Sequence, residues 1–168
     1  LLVEPMARMG AQATGVDAAP ENIAAARSHA EGQGLDIQYH AGELSSLSAQ
    51  TFDLVTSMEV IEHVTDPAAF VRELAARLAP DGLMILSTPN RTALSKLLLV
   101  EAAERVGAVP RGTHDWNQFL TPEELIALME GAGLEIIDRI GLSLSLARGF
   151  KLGDDETLNY FLSARHKR

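Results

Sequence analysis

A short acidic segment with one histidine, Ser57 to His63, carries the residues of this chain best suited to chemistry. It begins where the apolar run Phe52 to Met58 ends, and open α/β sheets bind ligands at the carboxyl ends of such strands. Glu59, Glu62 and His63 are spaced i, i+3 and i+4, so one helical turn would place them on one face. This set suits a divalent cation, magnesium or zinc, whereas a histidine alone can act as a general base. The plainer alternative is a solvated turn with an incidental histidine.

Two carboxylates in the first quarter of the chain suit a nucleoside cofactor. Asp17 ends the run that starts at Ala13, and an acid at a strand tip can accept hydrogen bonds from both ribose hydroxyls. Glu43 follows the next apolar run, where an acid can accept a hydrogen bond from an adenine amino group. The alternatives are a helix cap for Asp17 and a solvated turn for Glu43. A glycine-rich loop precedes such an acid by about 20 residues, which places that loop just before residue 1.

Three segments of the second half have both a functional and a structural interpretation. The polar cluster Ser87 to Arg91 could line a substrate pocket or form an ordinary turn. In Gly112 to Trp116, His114 could act as a base and the Trp116 ring could line a substrate pocket. The alternative is that the Trp116 ring only anchors the loop. The pattern of Leu94 to Val106 predicts a helix. Its apolar side could contact a bilayer or a hydrophobic substrate, or it could pack on the core.

Short apolar runs alternate with helical patterns along the first half, which predicts a parallel sheet with helices on both sides. The chain is interpreted as one domain, residues 1–168, with a helical insertion at about 92–120. Strands are expected at Ala13–Asp17, Ile37–His40, Phe52–Met58, Leu83–Ser87, Leu134–Ile140 and Thr157–Ala164, helices at Glu21–Glu31, Pro67–Leu78 and from Pro122 to about Gly131 or Gly133, and a turn at Pro80–Gly82.

Composition narrows the function classes. The chain has 168 residues, 46% of them hydrophobic, and no cysteine, so disulfides and thiolate metal sites are excluded. Its net charge of -9 argues against a nucleic-acid partner, because phosphate binding needs clustered Lys and Arg. Nothing approaches the run of about 18 apolar residues that a membrane-spanning helix needs. The first residues also lack the basic region of a signal peptide.

Several motifs together resemble one family. The runs GVDAAPENIAAARSHA, FDLVTSMEVIEHVTDP, LSTPNRT, GTHDW and FKLGDDETLNYFLSARH are similar to those of the ubiquinone-biosynthesis O-methyltransferases, which are class I S-adenosylmethionine-dependent enzymes. The first run is shared widely among class I methyltransferases. The combination SMEVIEHV, STPNR, GTHDW and FKLG is much more specific, and the likeness extends over nearly the whole chain.

The resemblance implies a seven-stranded Rossmann-like sheet, mostly parallel, with an antiparallel last strand. It implies transfer of a methyl group from S-adenosylmethionine to a ring hydroxyl of a polyprenylated catechol or hydroquinol. Asp17 then matches the ribose-binding acid and Met58 an adenosine-site position, while Glu59, Glu62 and His63 match the metal site of some members. Residues 94–109 match a membrane-association segment, so a peripheral place on the inner face of the cytoplasmic membrane, with a quinone-synthesis complex as partner, is expected.

The chain departs from the family pattern at its start. Leu1 to Gly10 resembles the helix after the glycine-rich loop, so the first strand and that loop are expected to be missing, which would leave unpaired edges in the sheet and weaken cofactor binding. Three alternatives remain open from the residues. They are another small-molecule methyltransferase, an NAD-dependent dehydrogenase, and a non-catalytic membrane-associated member of a quinone-synthesis complex.

Overall fold

The computed structural model describes residues 2–47, 49–97, 116–145 and 149–168. These residues form two compact units, residues 1–50 and 51–168. The expectation of a single domain stays a prediction. Most of the expected helical insertion, residues 98–115, lies outside the described residues, and so does His114.

The first unit consists of two parallel strands and two helices. Its elements in chain order are α1 (Val3–Arg8), β1 (Ala13–Asp17), α2 (Pro20–Glu31) and β2 (Ile37–Ala41). Pro20 occupies the first turn of α2, where its missing amide hydrogen costs no helical hydrogen bond. A small core forms around Ile23, Ala30 and Tyr39. The strands and the helix lie within one residue of the bounds that the sequence predicts.

The second unit contains a five-stranded sheet. Its elements are β3 (Phe52–Met58), α3 (Pro67–Ala76), β4 (Leu78–Pro89), the short helix α4 (Ala93–Ser95), α5 (Pro122–Gly131), β5 (Leu134–Ser145), β6 (Gly149–Gly153) and β7 (Asn159–His166). The strand order is β3-β4-β7-β5-β6. Strand β4 runs parallel to β3, and β7 runs antiparallel to both β4 and β5, which confirms the antiparallel last strand.

Helix starts in this unit follow from local chemistry. Asp66 caps α3 by accepting a hydrogen bond from the amide of Ala69 at 2.9 Å, and Pro67 follows it. Thr121 and Glu124 form a capping box at the start of α5. The core between these helices and the sheet is fully buried; its members include Val71, Met84, Leu86, Leu125, Met129, Leu134, Tyr160 and Leu162.

Several boundaries in this unit differ from the sequence predictions: strand β4 extends beyond Leu83–Ser87 at both ends, and β5 continues past Ile140 to Ser145. Helix α3 ends at Ala76 rather than Leu78, because Leu78 pairs with Phe52 and begins β4. The turn expected at Pro80–Gly82 is an irregularity inside β4, where the register passes from Leu78 opposite Phe52 to Leu83 opposite Leu54.

The last predicted strand starts two residues later than expected, and the hairpin before it was missed. Thr157 donates its backbone and hydroxyl hydrogens to Asp155 Oδ1, at 3.0 and 2.6 Å, which holds it in a turn ahead of β7. Strand β6 was not predicted at all. Among the described residues β1 pairs only with β2, and β3 only with β4, so each keeps one unpaired edge.

Candidate active site

In the first unit, two acidic residues lie at the carboxyl ends of neighbouring parallel strands. Asp17, the last residue of β1, is opposite Ala41, the last residue of β2. The amide of Gly42 donates to the backbone oxygen of Asp17 at 2.9 Å, and Glu43 follows directly. Gly42 has a φ of 130°, which favours glycine at this turn. The register therefore brings Asp17 and Glu43, the two predicted cofactor-binding acids, to the carboxyl end of the same two strands.

The Asp17 carboxylate is half-buried, and some of its hydrogen-bond acceptor sites are already used. Its Oδ1 accepts a hydrogen bond from the amide of Ala19 at 2.8 Å, and Asn22 Nδ2 lies 3.2 Å from Oδ2. The cap residue of α2 is Ala19, so Asp17 is not the helix cap that the alternative interpretation assumed. A carboxylate has about four lone-pair sites. Asp17 thus keeps acceptor capacity for a ribose hydroxyl, and Asn22, which the sequence analysis missed, orients it.

In the second unit, the segment after β3 does not form the helical turn that the spacing predicts. Met58 ends β3, and only Ile61 to His63 adopt a short 3-10 helix. Glu59 precedes that helix and has a φ of 54°, in the left-handed region. Glu59, Glu62 and His63 therefore do not share one helical face. Glu59 has a left-handed backbone conformation, whereas Glu62 and His63 lie in the 3-10 helix that follows.

Glu62 is the buried acid of the segment. Its side chain is 1% exposed, its Oε2 accepts a hydrogen bond from Thr88 Oγ1 at 2.9 Å, and its Oε1 has no hydrogen-bond partner among the described residues. His63 Nε2 lies 3.8 Å from that Oε1, with the imidazole 46% exposed. Burial raises the pKa of Glu62 above its ordinary value, against the lowering effect of hydrogen bonds from its own backbone and from Thr88. At 3.8 Å the two groups lie beyond hydrogen-bond distance, so the carboxyl acts on the imidazole through its charge when it is ionised.

Glu59 makes a different set of contacts. Its Oε1 accepts a hydrogen bond from Ser87 Oγ at 2.7 Å, and its Oε2 accepts one from Asn159 Nδ2 at 2.8 Å. Its backbone amide donates to the carbonyl oxygen of Ser87 at 3.0 Å. Both carboxylate oxygens of Glu59 therefore accept hydrogen bonds from neighbouring strands. The bond from Asn159 joins residues that are 100 positions apart in the chain.

The residues do not fit the metal site that the resemblance implies. Within the described ranges, no group of three or more acidic or histidine side chains is placed to hold a metal ion. Glu59 is turned toward Ser87 and Asn159, while Glu62 and His63 face each other. The divalent cation predicted for Glu59, Glu62 and His63 thus has no support from this geometry.

The residues after β4 hold the segments around the site together. Asn90 donates from its amide to the backbone oxygen of Leu158 at 3.0 Å and from Nδ2 to that of Glu156 at 2.9 Å. Thr92 Oγ1 donates to the backbone oxygen of Thr157 at 2.8 Å, and Trp116 Nε1 donates to that of Thr92 at 2.9 Å. The motif STPNR, the Trp116 side chain and the closing segment therefore meet here, and Trp116 serves as a loop anchor.

A cavity of about 370 Å³ lies next to the buried carboxyl of Glu62. Its lining includes Ile61, Glu62 and Thr65 from the strand-end segment and Asn117 and Gln118 from the segment after Trp116. A mostly apolar cavity with a few polar groups is the usual form of a small-molecule site. Asn117 and Gln118 were not predicted as site residues, because neither belongs to a recognisable motif.

Burial of Glu62 predicts a pH-dependent stability. Because the fold favours the protonated carboxyl, this contribution is fully present below the ordinary pKa of 4.5 and is lost as the pH rises through the raised pKa. We expect Glu62→Gln, which keeps an acceptor for Thr88, to reduce the fall in unfolding free energy between pH 4.5 and 8. Urea unfolding at several pH values measures this, with the exposed Glu73→Gln as the control for loss of one charge. Identical pH profiles for Glu62→Gln and the unmutated protein would contradict it.

Comparisons with known proteins identify the family. A family model described as a methyltransferase domain matches residues 1–139. The ubiquinone biosynthesis O-methyltransferase of Methylocella silvestris is 46% identical over 172 aligned positions, covering 100% of this chain and 67% of the relative. Its counterpart in Methylobacterium sp. strain 4-46 is 44% identical, covering 98% and 68%. This chain belongs to the ubiquinone biosynthesis O-methyltransferase family.

Membership in this family makes the protein an S-adenosylmethionine-dependent methyltransferase and excludes the dehydrogenase alternative. The chain spans about two thirds of the length of these relatives. The solved structure of a magnesium protoporphyrin IX methyltransferase from Synechocystis PCC 6803, with bound SAH, matches with a TM-score of 0.68 at 19% identity, covering 99% of this chain and 68% of that one. At that identity the likeness shows the fold alone, which is the class I methyltransferase fold.

Proposed function

We propose that the protein transfers a methyl group from S-adenosylmethionine to a ring hydroxyl of a polyprenylated catechol or hydroquinol. The observation that carries the proposal is the buried Glu62, which lines a cavity after β3 and lies 3.8 Å from His63 Nε2, in a chain 46% identical to a ubiquinone biosynthesis O-methyltransferase. Strand ends of this kind are where α/β sheets present their ligands. Comparing turnover of prenylated and unprenylated catechols tests the substrate class. Equal kcat/KM for both would favour a different small-molecule methyltransferase.

His63 is the proposed general base. S-adenosylmethionine supplies an already activated methyl group, so the protein has to align the acceptor oxygen and remove its proton. A phenol has a pKa of about 10, and an imidazole in hydrogen-bond reach can take that proton as the oxygen attacks. Glu62, 3.8 Å from His63 Nε2, would stabilise the resulting imidazolium once ionised. His114, outside the described residues, is the second candidate base.

Asp17 and Glu43 are the proposed contacts to the cofactor's ribose and adenine, and Met58 the proposed adenosine-site residue at the end of β3. In the full-length protein, Asp17→Ala should lower the affinity for S-adenosylmethionine by about 1–3 kcal/mol, because it leaves buried ligand hydroxyls without an acceptor. Calorimetric titration measures this, and Asp36→Ala serves as a control outside the site. An unchanged dissociation constant would show that Asp17 serves only the turn at Ala19.

We also propose a peripheral association with the inner face of the cytoplasmic membrane, where a polyprenylated substrate resides. Support comes from Leu94 and Leu97, large apolar side chains that are 44% and 51% exposed at the start of the predicted membrane segment. None of the helices in the described ranges is long and apolar enough to cross a membrane. A quinone-synthesis complex is a further proposed partner.

Substitution of these leucines tests the membrane proposal. Leu94→Glu combined with Leu97→Glu should reduce sedimentation with liposomes severalfold, because it places charges where apolar contact is expected, and should leave the melting temperature nearly unchanged since both side chains are exposed. Ile137→Glu, which changes an exposed apolar residue on β5, is the matched control. Undiminished liposome binding by the double variant would contradict the proposed contact.

A further inference from the structure

We propose that Ser87 and Asn159 position Glu59, and that these three residues form a strand-end clamp which places the turn carrying Glu62 and His63. Glu59 is thus a positioning residue rather than a metal ligand. The inference deepens the proposed function, since it assumes that this turn serves methyl transfer.

The clamp joins three adjacent strands at one end of the sheet. Glu59 follows β3, Ser87 lies on β4 opposite Met58, and Asn159 is the first residue of β7. The Ser87 hydroxyl and the Asn159 amide each donate to a different oxygen of the Glu59 carboxylate, at 2.7 and 2.8 Å. Hydrogen bonds to a charged acceptor are among the stronger ones in proteins. Both donors come from paired strands of the sheet, so the carboxylate is held by the sheet itself.

The backbone shows what the clamp holds in place. Among the described residues, Glu59 is the only one other than glycine with a positive φ, at 54°. Side-chain-bearing residues adopt this region at a cost in free energy, so surrounding contacts must maintain it. Three hydrogen bonds do so here, two to the carboxylate and one from the backbone amide to the carbonyl of Ser87. Release of the carboxylate would let the backbone at Glu59 relax and would move His63, four residues later.

Asn159 also has the chemistry to accept a conservative replacement of Glu59. Its Oδ1 is buried and has no hydrogen-bond partner among the described residues. If glutamine replaces Glu59, a half-turn of the Asn159 amide presents that oxygen to the new amide donor. One buried polar atom of Asn159 then stays unpaired, as before. The clamp therefore tolerates Glu59→Gln, whereas a metal ligand would lose its charge.

Four variants of the full-length protein test the clamp, with S-adenosylmethionine and a short-chain prenylated catechol as the probes. Glu59→Ala and Asn159→Ala should each lower kcat about tenfold with little change in KM, because misplacement of the turn affects alignment more than binding. The double variant should be no slower than either single one, since both act through one interaction. Glu59→Gln should restore most of the kcat lost in Glu59→Ala.

The outcomes separate this inference from the proposed function. If Glu59→Gln is as impaired as Glu59→Ala, or if the two alanine effects multiply, the clamp is wrong. Melting temperatures of the same four variants give a second double-mutant cycle, which needs no substrate. We expect the losses in melting temperature for Glu59→Ala and Asn159→Ala to be non-additive as well. An unmutated protein that fails to methylate the catechol would refute the proposed function, while additive losses in melting temperature would refute the clamp.

Discussion

Gly141→Ala is expected to lower the free energy of unfolding by about 3 kcal/mol, an effect at the upper end for overpacking. A Cβ at this position would overlap the backbone oxygen of Asp155 and lie 2.6 Å from the amide nitrogen of Glu156. Backbone atoms cannot rotate away as a flexible side chain can. The loop would have to leave β5, and with it Glu156, whose carboxylate pairs with Arg139 and whose backbone oxygen accepts from Asn90.

The matched control lies directly across the hairpin. Gly153 is opposite Gly141 in the β5–β6 register, and a Cβ there would meet nothing within 4 Å. Gly153→Ala should therefore be close to neutral in the same chemical-denaturation experiment. Equal stability of both alanine variants would contradict the close approach of the loop to β5.

His63→Ala is expected to lower kcat by about 10²–10³-fold while leaving the dissociation constant for S-adenosylmethionine nearly unchanged, because a general base acts on the acceptor hydroxyl rather than on the cofactor. Glu62→Gln should cost less, about tenfold, since it removes the charge near His63 Nε2 but keeps an acceptor for Thr88. Steady-state kinetics paired with calorimetry measure both effects.

A chelator distinguishes the base from a metal site at these residues. We expect chelation to leave the activity of the unmutated protein intact, because Glu59, Glu62 and His63 do not form a three-ligand group. Activity that disappears with chelator and returns with magnesium or zinc would restore the metal interpretation. Full activity in both His63→Ala and Glu62→Gln would remove this pair from the mechanism and leave His114 as the remaining candidate.

The elements that sequence predicts well are those with strong local chemistry. Strand β3 has the predicted bounds because its apolar run ends at a polar segment, and α3 begins where Asp66 and Pro67 supply a cap and a first-turn proline. Strand β6 was missed because it is short and begins and ends with glycine. Its apolar residues, such as Phe150 at 75% exposure, are exposed and do not form a buried face. Its pairing with β5 is a tertiary property that local composition does not encode.

The sequence indicates one segment of the candidate site, but not its geometry and not the residues that other segments contribute. Residue types and the place after a strand single out the segment Glu59 to His63, but its i, i+3, i+4 spacing predicts a helical turn that does not form. The left-handed backbone at Glu59 and its bond to Asn159, 100 residues away, decide the actual arrangement. Neither is visible in a local pattern, because the hydrogen-bond partner comes from the far end of the chain. Likewise the family resemblance indicated a ligand set, while only the contacts showed which groups each carboxylate faces.

Transfer of an isotopically labelled methyl group from S-adenosylmethionine to a prenylated catechol by the full-length protein tests the central claim most directly. Mass spectrometry and NMR of the product locate the label. The proposed function predicts one labelled methyl group on a ring oxygen, and labelling by His63→Ala that is slower by about 10²–10³-fold. A label on a ring carbon, or none on the prenylated catechol while the protein binds S-adenosylmethionine tightly, would contradict it.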